Sequence, residues 1–181
     1  MKRHCIRLAD IAAIDNLMLA VWKAARGKHH RPDVIHFTQR LDYNLNKLAA
    51  DILQAKAPYA RYREFHIHDP KERLIHAACF EDRVLHHAIM NLAEPVFERT
   101  LVPTTYACRP GKGVHRAIAQ VQANLRRYPW FVKTDISGYF PSIDHQILHD
   151  LLQRRFKGTD NRNNNTPDNR NNNIGFRLVL S

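Results

Sequence analysis

Apolar residues recur at helical spacing early in the chain, switch to alternation in the middle, and return to helical spacing beyond it. Leu8, Ile11, Ala12, Ile14, Leu17, Met18, Val21 and Trp22 predict one amphipathic helix from Leu8 to about Ala25, with Gly27 as its stop. A basic hinge at 26–32 then leads into a second helix with Val34, Phe37, Leu41, Leu45, Leu48 and Ile52 on one face, ending before Pro58. The hinge, with Arg26, Lys28 and Arg31 among its residues, either touches phosphates or is a solvated loop.

Between Arg61 and Ala78 the period becomes two. Tyr62, Glu64, His66 and His68 alternate with Arg63, Phe65 and Ile67, and Arg73 to Ala77 return after a turn at 69–72, which predicts a β-hairpin. Helical spacing resumes from Phe80, with Val84, Ala88, Ile89 and Leu92 inward and Pro95 ending or kinking the helix. A glycine-rich basic turn at 104–117 precedes a helix running to about Arg127. Trp130, Phe131 and Val132 predict a short apolar strand that Gly138 and Pro141 break. Ser142 or Asp144 then caps a last helix, His145 to Phe156, with Ile147, Leu148, Leu151 and Leu152 on one face. From Gly158 onward Asp-Asn-Arg-Asn-Asn-Asn occurs twice, a composition too poor in apolar surface to fold alone and expected to be disordered or only locally ordered.

Composition narrows the function classes. With 181 residues and 44% hydrophobic content the chain can build a core, so one folded unit with a tail is the default. Its 28 Lys and Arg against 17 Asp and Glu give a formal charge of +11, which favours a polyanionic partner such as nucleic acid. Cys5, Cys79 and Cys108 are widely spaced and odd in number, which supports neither a disulfide framework nor a zinc knuckle and suits a reducing cytoplasm. Neither a signal-peptide core nor an apolar run long enough to span a bilayer is expected. His66, His68 and His76 lack an evident fourth zinc ligand. Gly111-Lys112-Gly113 has neither the spacing nor the hydroxyl of a P-loop.

The run Asp-Ile-Ser-Gly-Tyr-Phe-Pro-Ser-Ile-Asp-His at 135–145 resembles the first catalytic motif of reverse transcriptases of the group II intron and diversity-generating retroelement type. Three further stretches match in the family's order: Asp-Pro-Lys-Glu-Arg at 69–73, Asp-Arg-Val-Leu-His-His-Ala at 82–88, and 106–115, which contains Arg109, Gly111, Lys112, Gly113 and His115. The resemblance implies an α+β fold in which residues 1–157 form fingers and a partial polymerase palm, followed by a separate tail at 158–181. It implies RNA-directed DNA polymerase activity in the intact family, with RNA template, DNA primer and deoxynucleotide as partners. Asp135 would be the catalytic carboxylate and, with the backbone carbonyl of Ile136, a magnesium ligand; Phe140 would crowd the sugar 2′-position. Lys71 and Arg73 would hold the triphosphate, while Arg109, Gly111, Lys112 and Gly113 would meet nucleic acid. Arg83 is expected to pair with a carboxylate.

The family's palm also carries two adjacent aspartates, and the sequence contains no Asp-Asp. The expectation is therefore a protein truncated after the first palm motif, with the alternative of a catalytically inactive nucleic-acid-binding remnant. An accessory protein or second polypeptide could supply the missing carboxylates. The stretch Asn-Arg-Asn-Asn-Asn-Ile-Gly-Phe-Arg-Leu-Val resembles the C-terminal end of formylglycine-generating or C-type-lectin-like domains.

Overall fold

A computed structural model describes residues 3–68, 72–140 and 142–157. The fold is α+β, and the chain divides into two compact units: Met1–Ala93 together with the chain from Asp144, and Glu94–Ile143. Expectations for the tail at 158–181 lie outside the described residues.

The first unit opens with β1 (His4–Cys5), α1 (Leu8–Ala12) and α2 (Ile14–Ala25). The single helix expected here is broken at Ala13, whose ψ of 131° is extended. Such a break orphans carbonyls at the end of α1. The side-chain amide of Asn16 meets them, donating to the carbonyl of Ile11 at 3.0 Å. The break also turns the buried face. Leu17, Ala20, Val21, Ala24 and Ala25 are buried, whereas Ile14, Met18 and Trp22 are exposed.

The second expected helix is likewise two, α3 (Pro32–Gln39) and α4 (Leu41–Leu53), separated by Arg40 at φ −125°, ψ 46°. Asn44 repeats the device of Asn16, its amide donating to the carbonyl of Phe37 at 2.8 Å. Here the apolar face holds through the break: Val34, Phe37, Leu45, Leu48 and Ile52 are all buried. Pro32 stands in the first turn of α3, where its missing N–H would be unpaired in any case.

The hairpin forms as expected. Strands β2 (Tyr62–His68) and β3 (Glu72–Ala78) pair antiparallel from Tyr62↔Ala78 to His68↔Glu72. Helix α5 (Phe80–Glu98) follows, and Pro95 lies inside it rather than ending it. Phe80, Val84, Leu85 and Ala88 join the α1–α4 residues in one core, with the Phe80 ring edge-on to Phe37 at 5.1 Å. Burying each large side chain in this core contributes about 1.5–3 kcal/mol. At the far end of the sequence α7 (His145–Arg155) is capped by Asp144, which accepts from the N–H groups of Gln146 and Ile147. Ser142 instead donates to the carbonyl of Tyr139. On α7 Leu148 and Leu152 are half-buried, while Ile147 and Leu151 face solvent. Strand β4 (Phe156–Lys157) runs parallel to β1, and Phe156 is buried.

The second unit contains α6 (Val114–Arg127), none of whose residues is buried. The strand expected at Trp130–Val132 does not form. These residues are unpaired, at 86, 77 and 88% exposure, because a strand exists only against a hydrogen-bonding neighbour and none lies beside them among the described residues. No described helix is long and apolar enough to cross a membrane.

Candidate functional site

The loop between α5 and α6 is built around Arg109. Its Nε and Nη2 donate to the Glu98 carboxylate, the closest contact being 2.6 Å, and its Nη1 donates to the carbonyls of Val102 and Thr105 and to the Thr105 hydroxyl. The forked guanidinium thus ties a helix end to two turns of the following loop. The Arg109 side chain is only 10% exposed, and Glu98, through these bonds, is held below the usual carboxylate range. Nothing in the sequence pairs position 98 with 109. The expected nucleic-acid contact at Arg109 therefore competes with a complete set of internal partners.

Lys112 folds back in the same loop, its ammonium donating to the Pro103 carbonyl and lying 5.2 Å from the centre of the Tyr106 ring. Gly111 and Gly113 both have positive φ, 68° and 102°, and open space where a Cβ would stand. Only glycine enters α6 by this path without strain, and its bare backbone leaves room for a neighbouring strand or ligand.

Asp135, Ile136 and Phe140 lie on a second exposed loop of this unit. The Asp135 carboxylate accepts the N–H of Ile136 at 2.9 Å, and Tyr139 and Phe140 stack edge-to-face at 5.3 Å. Among the described residues no three His, Cys, Asp or Glu side chains gather as metal ligands. A two-metal site for nucleotidyl transfer needs several convergent carboxylates. One carboxylate and one carbonyl do not make that site, so the described residues alone do not fit the implied magnesium pair.

Arg73 belongs to the first unit, exposed on β3 opposite Ile67. Lys71, its expected companion, lies outside the described residues. The hairpin register separates two unlike faces. Glu64, His66, His68, Glu72 and His76 share one, where His76 meets Glu64 at 3.0 Å and His66 meets Glu72 at 2.9 Å. Arg63, Phe65, Ile67, Arg73 and Ile75 share the other.

At the start of α5, Arg83 pairs with Asp33 at 2.6 Å, as expected of a residue committed to a carboxylate. Asp82 is 2% exposed and accepts the N–H of Tyr59 at 2.8 Å. Burial pushes the neighbouring Cys79 thiol up to about 11 and lowers His87 below its ordinary value, with nearby Lys23 adding to the latter.

No family model matches the chain. It is 32% identical over 78 residues to nuclear intron maturase 1, mitochondrial, of Arabidopsis thaliana, covering 43% of this chain and 11% of that protein. It is 30% identical over 90 residues to protein YkfC of Escherichia coli K12, covering 47% and 24%, respectively. Over 87 residues it is 28% identical to the group II intron-encoded protein LtrA of Lactococcus lactis subsp. cremoris, covering 48% and 14%. The chain thus spans between 11% and 24% of the length of these relatives.

Proposed function

We propose that this chain, a group II intron reverse-transcriptase-like protein over about half its length, binds RNA through the fingers-type hairpin of its first unit. The observation that carries the reading is the hairpin face on which Arg63 and Arg73 flank Phe65, Ile67 and Ile75. Guanidinium groups fork onto phosphate oxygens, and an aromatic among them offers a stacking surface to an unpaired base. The excess of +11 over the whole chain attracts such a strand before any contact is made.

Polymerisation is a second reading, favoured by Asp135 at the start of its motif and by Arg73 on the hairpin. It requires carboxylates beyond the described residues. In that reading Arg73, with Lys71, would take the triphosphate and Phe140 would contact the sugar. Gly111 and Gly113 would let template backbone approach. Arg109 would act as a positioning residue, holding that loop through Glu98.

Fluorescence anisotropy with a labelled single-stranded RNA tests the binding. Affinity should fall steeply between about 50 and 200 mM salt, and Arg63→Ala with Arg73→Ala should weaken it and flatten the salt dependence. Absence of binding at the low salt would refute the reading. Primer extension above an Asp135→Ala control would establish polymerase activity in addition.

A further inference from the structure

A cleft of about 690 Å³ opens in the first unit between the start of α3, the base of the hairpin and the start of α5. Its volume lies in the range of small-ligand sites, and Pro32, Ala77, Ala78 and Phe80 give it apolar walls. Four arginines, Arg31, Arg61, Arg63 and Arg83, line it against two carboxylates, Asp33 and Glu81. Both carboxylates are taken: Asp33 by Arg83 at 2.6 Å, and Glu81 by Arg61 at 3.5 Å. The surplus is therefore Arg31 and Arg63. Arg31 has no side-chain partner among the described residues, and Arg63 has only the ring of Phe65, at 5.3 Å.

Two further donors lie at the cleft, one buried and one half-buried. The Nε of Arg83 is buried in the wall without a hydrogen-bond partner. Such a group costs stability unless something pairs with it. Tyr62 is half-buried at the hairpin base, and burial, followed by the charge of nearby Asp82, raises its hydroxyl above the ordinary value. It remains a neutral O–H donor at physiological pH.

We propose that this cleft holds one nucleotide unit of a single-stranded RNA, its phosphate on Arg31 and Arg63 and its sugar and base against Pro32, Ala77, Ala78 and Phe80. The inference rests on the RNA-binding reading and gives it a definite site. Arg31 comes from the basic hinge at 26–32, whose sequence left phosphate contact and simple solvation open; the cleft favours the first. An acidic peptide would satisfy the guanidinium pair but would leave the apolar walls without a flat, ring-sized partner.

The test uses the full chain and a single-stranded RNA carrying 4-thiouridine. Photocrosslinking followed by tryptic mapping should place the nucleotide on the peptide Leu74–Arg83 or on the peptide His29–Arg40, which between them contain the apolar walls. The double variant Arg31→Ala, Arg63→Ala should lower the slope of log affinity against log salt by about 0.7, the value for one phosphate no longer neutralised on a single strand. Arg126→Ala with Arg127→Ala removes equal charge from α6 and should change it much less. Both pairs are exposed, and circular dichroism verifies that the fold is kept. Equal losses from the two doubles, crosslinks mapping outside both Leu74–Arg83 and the Pro32-containing peptide His29–Arg40, or displacement of RNA by polyglutamate at equal phosphate or carboxylate concentration would each overturn the cleft while leaving RNA binding intact. Failure of the unmodified chain to bind RNA would instead overturn the RNA-binding reading, and the cleft assignment with it.

Discussion

Helices α2 and α6 are both amphipathic, yet α2 buries Leu17, Ala20, Val21, Ala24 and Ala25, while the apolar stripe of α6, Val114, Ile118, Val121 and Leu125, stays exposed. Periodicity specifies that a face wants covering; it does not specify what covers it. In the first unit α4 packs against α1, α2 and α3, and α5 adds Phe80, Val84 and Ala88 to the same core. Among the described residues of the second unit no comparable partner covers α6, and order in its preceding loop comes from the polar Arg109–Glu98 cluster instead.

The largest effect that would sharpen this contrast is expected at Leu17, which is fully buried. Leu17→Ala should cost about 2–5 kcal/mol in denaturant unfolding through lost transfer energy and the cavity left behind. Asn16→Ala comes next. Its amide serves the carbonyls of Ile11 and Ala88 and its oxygen accepts from Asn91, so the unpaired groups should cost about 1–3 kcal/mol by the same measurement.

A pH dependence should then distinguish the second unit. The folded-state value of Glu98 is depressed by Arg109, so its contribution is present above the ordinary carboxylate range and is lost as pH falls through the lower, folded value. Amide exchange in the 98–112 loop, corrected for its intrinsic pH dependence, should lose protection on acidification, and Glu98→Gln should remove most of that response. A response unchanged by the variant would show that the cluster does not hold the loop. The smallest effect is expected on α6: Val121→Ala, at 56% exposure, should change stability by less than about 0.5 kcal/mol. A loss as large as that of Leu17→Ala would show the stripe to be covered in solution and would break the contrast.

The sequence made much of this architecture legible. Alternation locates both hairpin strands, and helical spacing marks the face Val34 to Ile52 across a helix break that the pattern itself does not reveal. Where structure departs from the pattern, the cause is a group distant in sequence or absent beside it. Ile14, Met18 and Trp22 belong to the expected apolar face, but the break at Ala13 turned them outward. Trp130 to Val132 have strand composition without a pairing neighbour. The internal commitment of Arg109 depends on a carboxylate that no motif marks.

The amino-acid sequence by itself determined the charge excess, the hairpin and the order of the family-like motifs, because each depends on residue type or on neighbours a few positions apart; it narrowed the cap of α7 to Ser142 or Asp144. Only the tertiary structure decided which arginines are spent on carboxylates and which remain available. Pairing Arg83 with Asp33, Arg109 with Glu98, and Arg31 with Arg63 around one cleft requires the chain to bring separated positions together, and that closeness is a property of the packed fold rather than of local spacing.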